Sequence, residues 1–275
     1  MNYTLKDTIL YVDNLSISYD GKVVIKDITF EEKNVTRENL VTGQTIAFVG
    51  RSGRGKSTLF KALTGLVKPN SGRVLISDLN SSEKNSALQV KEGDVGFVDQ
   101  KYTLFRNKTI YQSFLFALRK KNITAVQKEE MINEYLKNWG LEKFKDQYPC
   151  ELSGGQRQRT AIIEQIFSSG HYMILDEPFS GLDVGNIENV KEAFQLITNQ
   201  HDLNTIIFST HDIELAVELA DSIYVIGYPT INGKKADYGT IVMHVDMKKL
   251  GLSWNKFDKA HLTVVKEIKE AMLLS

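Results

Sequence analysis

Thr45-Ile-Ala-Phe-Val-Gly-Arg-Ser-Gly-Arg-Gly-Lys-Ser-Thr58, or TIAFVGRSGRGKST, joins a short apolar run to a glycine-rich octet. Gly50–Ser57 match G-x-x-x-x-G-K-[ST] at every specified position. The run Thr45–Val49 reads as a strand, and Ser57–Leu63 reads as the helix that follows it. This is the context the motif requires. Glycines let successive backbone N–H groups approach phosphate oxygens, and a helix N-terminus adds favourable potential. Gly50, Ser52, Gly53, Gly55, Ser57 and Thr58 are therefore candidate phosphate-binding positions. Lys56 is placed to neutralise β- and γ-phosphates and Ser57 to ligate Mg²⁺. By itself such a loop states only that a nucleoside triphosphate binds, since kinases, GTPases, motors and transport ATPases all use one.

Working outward, strand-like segments recur at Leu15–Tyr19, Val23–Phe30, Val95–Val98, Tyr172–Leu175, Thr205–Phe208 and Ile223–Ile226. Several are nearly continuous apolar runs, as expected of strands buried on both faces of a largely parallel sheet, with helices such as Asn189–Thr198 between them. The fold class is α/β. From Lys101 to Cys150 strand signals stop, and a helix begins at Thr124 with Gln127 completing a capping box and Gly140 closing it. A helical subdomain over about 101–160, inserted into a sheet domain of residues 1–228, accounts for this. Residues 229–275 form a tail with a hairpin at Asn232-Gly233 and a last helix near Phe257–Leu274, where Ala260, Val264, Ile268 and Met272 share a face.

The 275 residues carry 34 basic and 34 acidic side chains with 42% hydrophobic content, so no overall electrostatic footprint for nucleic acid arises. The cluster Arg119, Lys120 and Lys121 reads as a solvated helix end. One cysteine, Cys150, makes neither an internal disulfide nor a zinc site. No apolar run approaches the ~18 residues of a membrane span, and the start lacks the blocks of a secretion signal. If the protein works at a membrane, something else crosses it.

His171-Tyr-Met-Ile-Leu-Asp-Glu-Pro178 places Asp176 and Glu177 where an apolar strand emerges, at the edge where ligands of such sheets bind. Asp176 suits Mg²⁺ coordination, through a water, and Glu177 suits taking a proton from an attacking water. Thr205–Phe208 ends in Ser-Thr-His211, which carries His211 to the same edge, towards the γ-phosphate, Glu177 and that water.

A second glycine loop, Leu152-Ser-Gly-Gly-Gln156, lies between phosphate loop and acidic strand. With it the chain resembles the nucleotide-binding subunits of ABC transporters. The likeness covers nearly the whole length, with Tyr19, Gly50–Ser57, Gln100 in GFVDQ, Leu152–Gln156, Asp176 and Glu177, the D-loop Ser180-Gly-Leu-Asp183, and His211 in family order. The resemblance implies a P-loop ATPase core with a mainly parallel sheet and an N-terminal antiparallel β subdomain. It implies that Tyr19 stacks on adenine, and that Gln100 senses Mg²⁺ and the attacking water and couples the site to a transport partner. It further implies a head-to-tail dimer in which Ser153, Gly154, Gly155 and Gln156 of one subunit cap the γ-phosphate held by Lys56 of the other. Asp183 belongs to the same interface.

The runs YPCELSGGQRQR, DEPFSGLD and STHDIELAVELADSIYVI look most like importer ATPases of the nitrate, sulfonate and taurine type. That resemblance implies a subunit at the cytoplasmic face of the cell membrane, using ATP and Mg²⁺ to drive import of a small anion or organic solute. Its partners would be a second ATPase subunit, permease subunits and, indirectly, an extracytoplasmic substrate-binding protein, with no nucleic acid expected. Tyr102–Phe114 should grip a permease helix through Leu104, Phe105 and Ile110. Export stays open, as does a homo- or heteromeric dimer. A soluble ABC ATPase acting on ribosomes or DNA is the competing class, although paired cassettes, long insertions and zinc cysteines are lacking. A kinase or GTPase leaves LSGGQ unexplained. Three places depart from the family pattern: Glu164 and Gln165 after QRQR, the longer segment over 31–43, and Arg54 in the phosphate loop.

Overall fold

A computed structural model describes residues 3–77, 86–182 and 184–275, with side chains for all of these except Val184 and Asn186. The chain begins with two long antiparallel strands, β1 (Tyr3–Tyr19) and β2 (Lys22–Arg37), turning through Asp20 and Gly21, both at positive φ. The segment over 31–43 owes its length to β2, which continues to Arg37 and pairs back as far as Tyr3. Next come β3 (Gln44–Val49), the phosphate loop and α1 (Lys56–Leu63). β4 (Ser71–Ser77) and β5 (Ala87–Gln89) complete an antiparallel sheet of order β2-β1-β4-β5.

After β6 (Gly96–Val98) the chain turns helical with α2 (Ile110–Ala117), α3 (Ala125–Asn138) and α4 (Gly154–Ser168). The expected cap of α3 is present: Thr124 Oγ1 accepts from Gln127 N, and Gln127 Oε1 accepts from Thr124 N. The remaining elements are β7 (Tyr172–Leu175), α5 (Val184–Thr198), β8 (Thr205–Thr210), α6 (Ile213–Leu219), β9 (Ser222–Gly227), the hairpin β10 (Thr230–Ile231) and β11 (Lys234–Lys235), β12 (Thr240–Asp246), and α7 (Lys259–Leu274). Asn232 and Gly233 both take positive φ in that hairpin, as an Asn-Gly turn demands.

The main sheet has the order β12-β9-β3-β8-β7-β6 and is parallel from β9 to β6, with β12 antiparallel at one edge. Alternation within the apolar runs explains its burial. Ala47, Val49, Leu175, Phe208 and Val225 face a core shared with α4, α5, α6 and α7. Ile46, Phe48, Ile174, Ile207 and Tyr224 face a second core under α1 and the antiparallel sheet. Helices on one side and a second sheet on the other leave no polar face, hence the unbroken hydrophobicity.

Three readings are corrected by burial and by element bounds. α7 starts at Lys259, capped by Asp258. Its buried face comprises His261, Val264, Val265 and Ile268, and Ala260 is exposed. α5 starts at Val184, five residues before the helix read from Asn189. Ile110 is 1% exposed inside the core and cannot anchor a partner. Arg119, Lys120 and Lys121 are all exposed, as read from the sequence.

Candidate active site

The parallel register aligns the ends of four strands. Val49 pairs with Thr210, Leu175 with Phe208, and Val98 with Leu175. The loops that leave these strand ends therefore meet at one edge, where a cavity of about 410 Å³ is lined by Ser52, Gly53, Gly55, Lys56, Ser57, Thr58, Gln100, Asp176, Glu177 and His211. Val24, Arg54 and Ser180 line it as well. The phosphate loop depends on close approach: Gly55 has φ 95°, and a Cβ there would stand 2.4 Å from Ile25 Cγ2. Gly50 lies beneath, where a Cβ would meet Ile226 O at 2.4 Å. Arg54, one of the departures from the family pattern, lies over the Tyr228 ring at 3.8 Å, while Tyr228 Oη donates to Gly53 O at 3.3 Å. The residue that follows β9 thus braces the loop from outside.

Lys56 is buried, donates to Gly50 O at 2.8 Å and stands 3.4 Å from Glu177 Oε1. Glu177 Oε2 is 2.9 Å from His211 Nδ1. A cation and an imidazole thus hold this carboxylate between them. Its backbone takes φ 52°, an uncommon conformation for a residue with a Cβ. Ser209, given no role from sequence, supports both acids: its Oγ donates to Asp176 Oδ1 at 2.6 Å and accepts from Glu177 N at 2.9 Å. The signal was visible as the serine two positions before His211, at the end of a buried strand. Gln100 Nε2 donates to Ser180 Oγ at 3.1 Å, tying the loop after β6 to the turn after β7.

The other expected positions lie elsewhere. Tyr19 ends β1, 44% exposed, and is not among the cavity-lining residues. Ser153–Gln156 form the N-terminus of α4, also outside the cavity. Ser153 Oγ accepts from Gln156 N at 3.3 Å, and Gln156 Oε1 accepts from Ser153 N at 2.8 Å. Asp183 lies outside the described residues. One relay was not legible in sequence: Pro178 O accepts from both Tyr102 Oη at 3.0 Å and Gln158 Nε2 at 2.8 Å. Burial pushes the Tyr102 phenol up to about 12, which keeps it a donor. The residue after the acidic pair is thereby tied both to α4 and to the loop before α2.

Among the described residues no cluster of three or more His, Cys, Asp or Glu would hold a metal. A cation here would need mixed oxygen donors. Ser57, Gln100 and Asp176 supply a hydroxyl, an amide oxygen and a carboxylate around one cavity, a donor set that fits Mg²⁺ with ligand oxygens completing its shell.

A lysine under a glycine loop, opposite a carboxylate held by a histidine, defines an ATPase of the P-loop class. Residues 34–180 match the family model described as ABC transporter. Curated relatives include a probable sulfate/thiosulfate import ATP-binding protein of Chlorella vulgaris, 32% identical over 84% of this chain and 91% of its own length. A sulfate/thiosulfate import ATP-binding protein of Synechocystis is 32% identical over 84% of this chain and 60% of its own, so the chain spans about three fifths of that relative. The solved structure of cbiO1 from Clostridium perfringens, part of the ABC transporter complex cbiONQ, superposes with a TM-score of 0.70 at 27% identity, covering 96% of this chain and 99% of that one. The chain belongs to the ABC transporter family, as one of its ATP-binding ATPase subunits. No helix among the described residues is long and apolar enough to cross a membrane.

Proposed function

We propose that this chain powers a membrane importer as half of a head-to-tail ATPase dimer bound peripherally to separate permease subunits on the cytoplasmic face. The observation that carries the reading is Glu177, held 3.4 Å from Lys56 and 2.9 Å from His211 at the mouth of the phosphate loop. When a triphosphate enters, its oxygens compete for Lys56, which leaves the Glu177 carboxylate to accept a proton from a water in line with the γ-phosphate. His211 orients that carboxylate. Ser57 and Asp176, with Gln100, would hold Mg²⁺, which when bound neutralises charge on the phosphates. Tyr19 would meet adenine. The position of Ser153–Gln156 outside their own subunit's cavity supports a role towards the nucleotide of the second subunit, and Asp183 would join that interface.

The segment with Leu104 and Phe105, tied through Tyr102 to Pro178, would transmit closure to the permease. The permease, together with an extracytoplasmic binding protein, would choose the cargo. Its similarity to sulfate/thiosulfate import ATP-binding proteins favours import of a small anion. Glu177→Gln should retain ATP binding and lower turnover by about 10²-fold or more. Equilibrium ATP binding and steady-state phosphate release measure the two separately, and normal turnover by that variant would remove Glu177 from the role.

A further inference from the structure

Between α2 and α4 a groove of about 320 Å³ ends on an acid that has no partner among the described residues. Its walls include Leu104, Phe105, Phe116 and Ala117. Glu164, in the middle of α4, lines it at 6% exposure. No hydrogen bond or ion pair engages the Glu164 carboxylate among the described residues. The cation that lines the groove, Arg119, is committed elsewhere: Nη1 donates to Phe116 O at 2.9 Å, and the guanidinium lies 3.8 Å from the Phe116 ring centre. Burial alone pushes the Glu164 carboxyl up to about 7. The adjacent Gln165 is by contrast engaged, its Oε1 accepting from Phe97 N at 3.3 Å.

A carboxylate removed from water without a donor costs stability, and a cation brought to it recovers that cost. The apolar walls exclude water around such a pair, and Phe105, 42% exposed, leaves surface to be covered. We propose that the occupant of this groove is a segment of the membrane partner carrying a lysine or arginine among apolar residues, its cation pairing with Glu164. The inference rests on the transporter reading and deepens it by stating what the partner must present. An anionic headgroup or phosphate is disfavoured by the acid on the floor. The position also suits coupling, because Ser153 caps α4 and Gln158 of the same helix reaches Pro178 beside Glu177.

The test uses the full tagged chain expressed in its native host and purified from detergent-solubilised membranes. Wild type, Glu164→Gln and Glu164→Lys are compared for retained membrane protein at rising salt, with ATP binding and thermal melting at pH 6 as controls for folding. Retention should fall about tenfold for Glu164→Gln and more for Glu164→Lys. Replacing the partner's basic residue by Glu should restore retention to Glu164→Lys, and that restoration is the supporting result. The near-isosteric glutamine variant keeps the test decisive if a buried lysine prevents folding. Undiminished, equally salt-resistant retention by Glu164→Gln overturns the proposal while leaving the transporter reading intact. Wild-type chain that retains ribosomes or DNA and no multi-span protein overturns the transporter reading itself, and the proposal with it.

Discussion

Ser209 is 0% exposed, and its hydroxyl lies between the two acids, donating to the Asp176 carboxylate and accepting from the Glu177 N–H. Replacing it by Ala leaves a carboxylate oxygen and a backbone N–H short of a partner, at about 1–3 kcal/mol for such groups. Ser209→Ala is therefore expected to lower turnover or raise the Mg²⁺ requirement about tenfold, while melting changes little beyond that cost. Steady-state ATP hydrolysis titrated with Mg²⁺ checks this, and wild-type Mg²⁺ dependence would show that Asp176 needs no such support. The contrast with Glu164 is chemical. Asp176 and Glu177 have donors around them, whereas Glu164 is set among apolar walls without one.

Helices α2, α3 and α4 each begin with the same reciprocal box: Thr109 with Gln112, Thr124 with Gln127, and Ser153 with Gln156. All three follow Ser/Thr-x-x-Gln, so the signal was present in sequence at each. At Ser153 the cap coincides with the residue expected to meet a phosphate across a dimer, which makes the two roles separable by substitution. Ser153→Ala should cost about 1 kcal/mol of stability and also reduce ATPase activity. Ser153→Asp keeps a good N-cap but presents a negative charge to the γ-phosphate. It should melt like wild type and lose most of its ATP-dependent dimerisation and turnover. Paired melting curves and light scattering with ATP read both outcomes, and an active Ser153→Asp would confine this serine to capping.

Across the whole molecule, buried acids give stability a pH dependence, Glu164 and Asp221 among them. Desolvation raises the Glu164 carboxyl from its ordinary 4.5 to about 7, and raises Asp221 from 3.8 to about 6, although Thr45 N donates to Asp221 at 2.8 Å. For a raised acid the sign is unfavourable to the folded state. Below the ordinary value both states are protonated and nothing is lost, and the penalty then grows and is complete above the folded value. For Glu164 this amounts to about 3 kcal/mol above pH 7. The free Glu164→Gln subunit should accordingly melt several degrees higher than wild type at pH 8 and at nearly the same temperature at pH 4.5. Equal melting at both pH values would mean that the carboxylate is hydrated in solution.

The α/β class, the strand cores, the phosphate loop, the acidic pair and the helix caps were legible because each is a local statement. Apolar runs record burial on both faces, glycine spacing records backbone approach to phosphate, and a capping box closes within four residues. The extension of β2 to Arg37, the strand β4, the edge strands β5 and β12, and the length of α5 were not legible, since half-exposed strands and helix starts carry weak patterns. Nor could sequence show that Ile110 is core, that Ser209 joins two acids or that Tyr102 and Gln158 converge on Pro178. Those contacts span 33, 76 and 20 positions along the chain. By itself the sequence determined which chemistry this protein carries. Only the tertiary structure decided which side chains hold that chemistry in place and which acid is left for a partner, because parallel register and helix packing bring together residues that no local pattern relates.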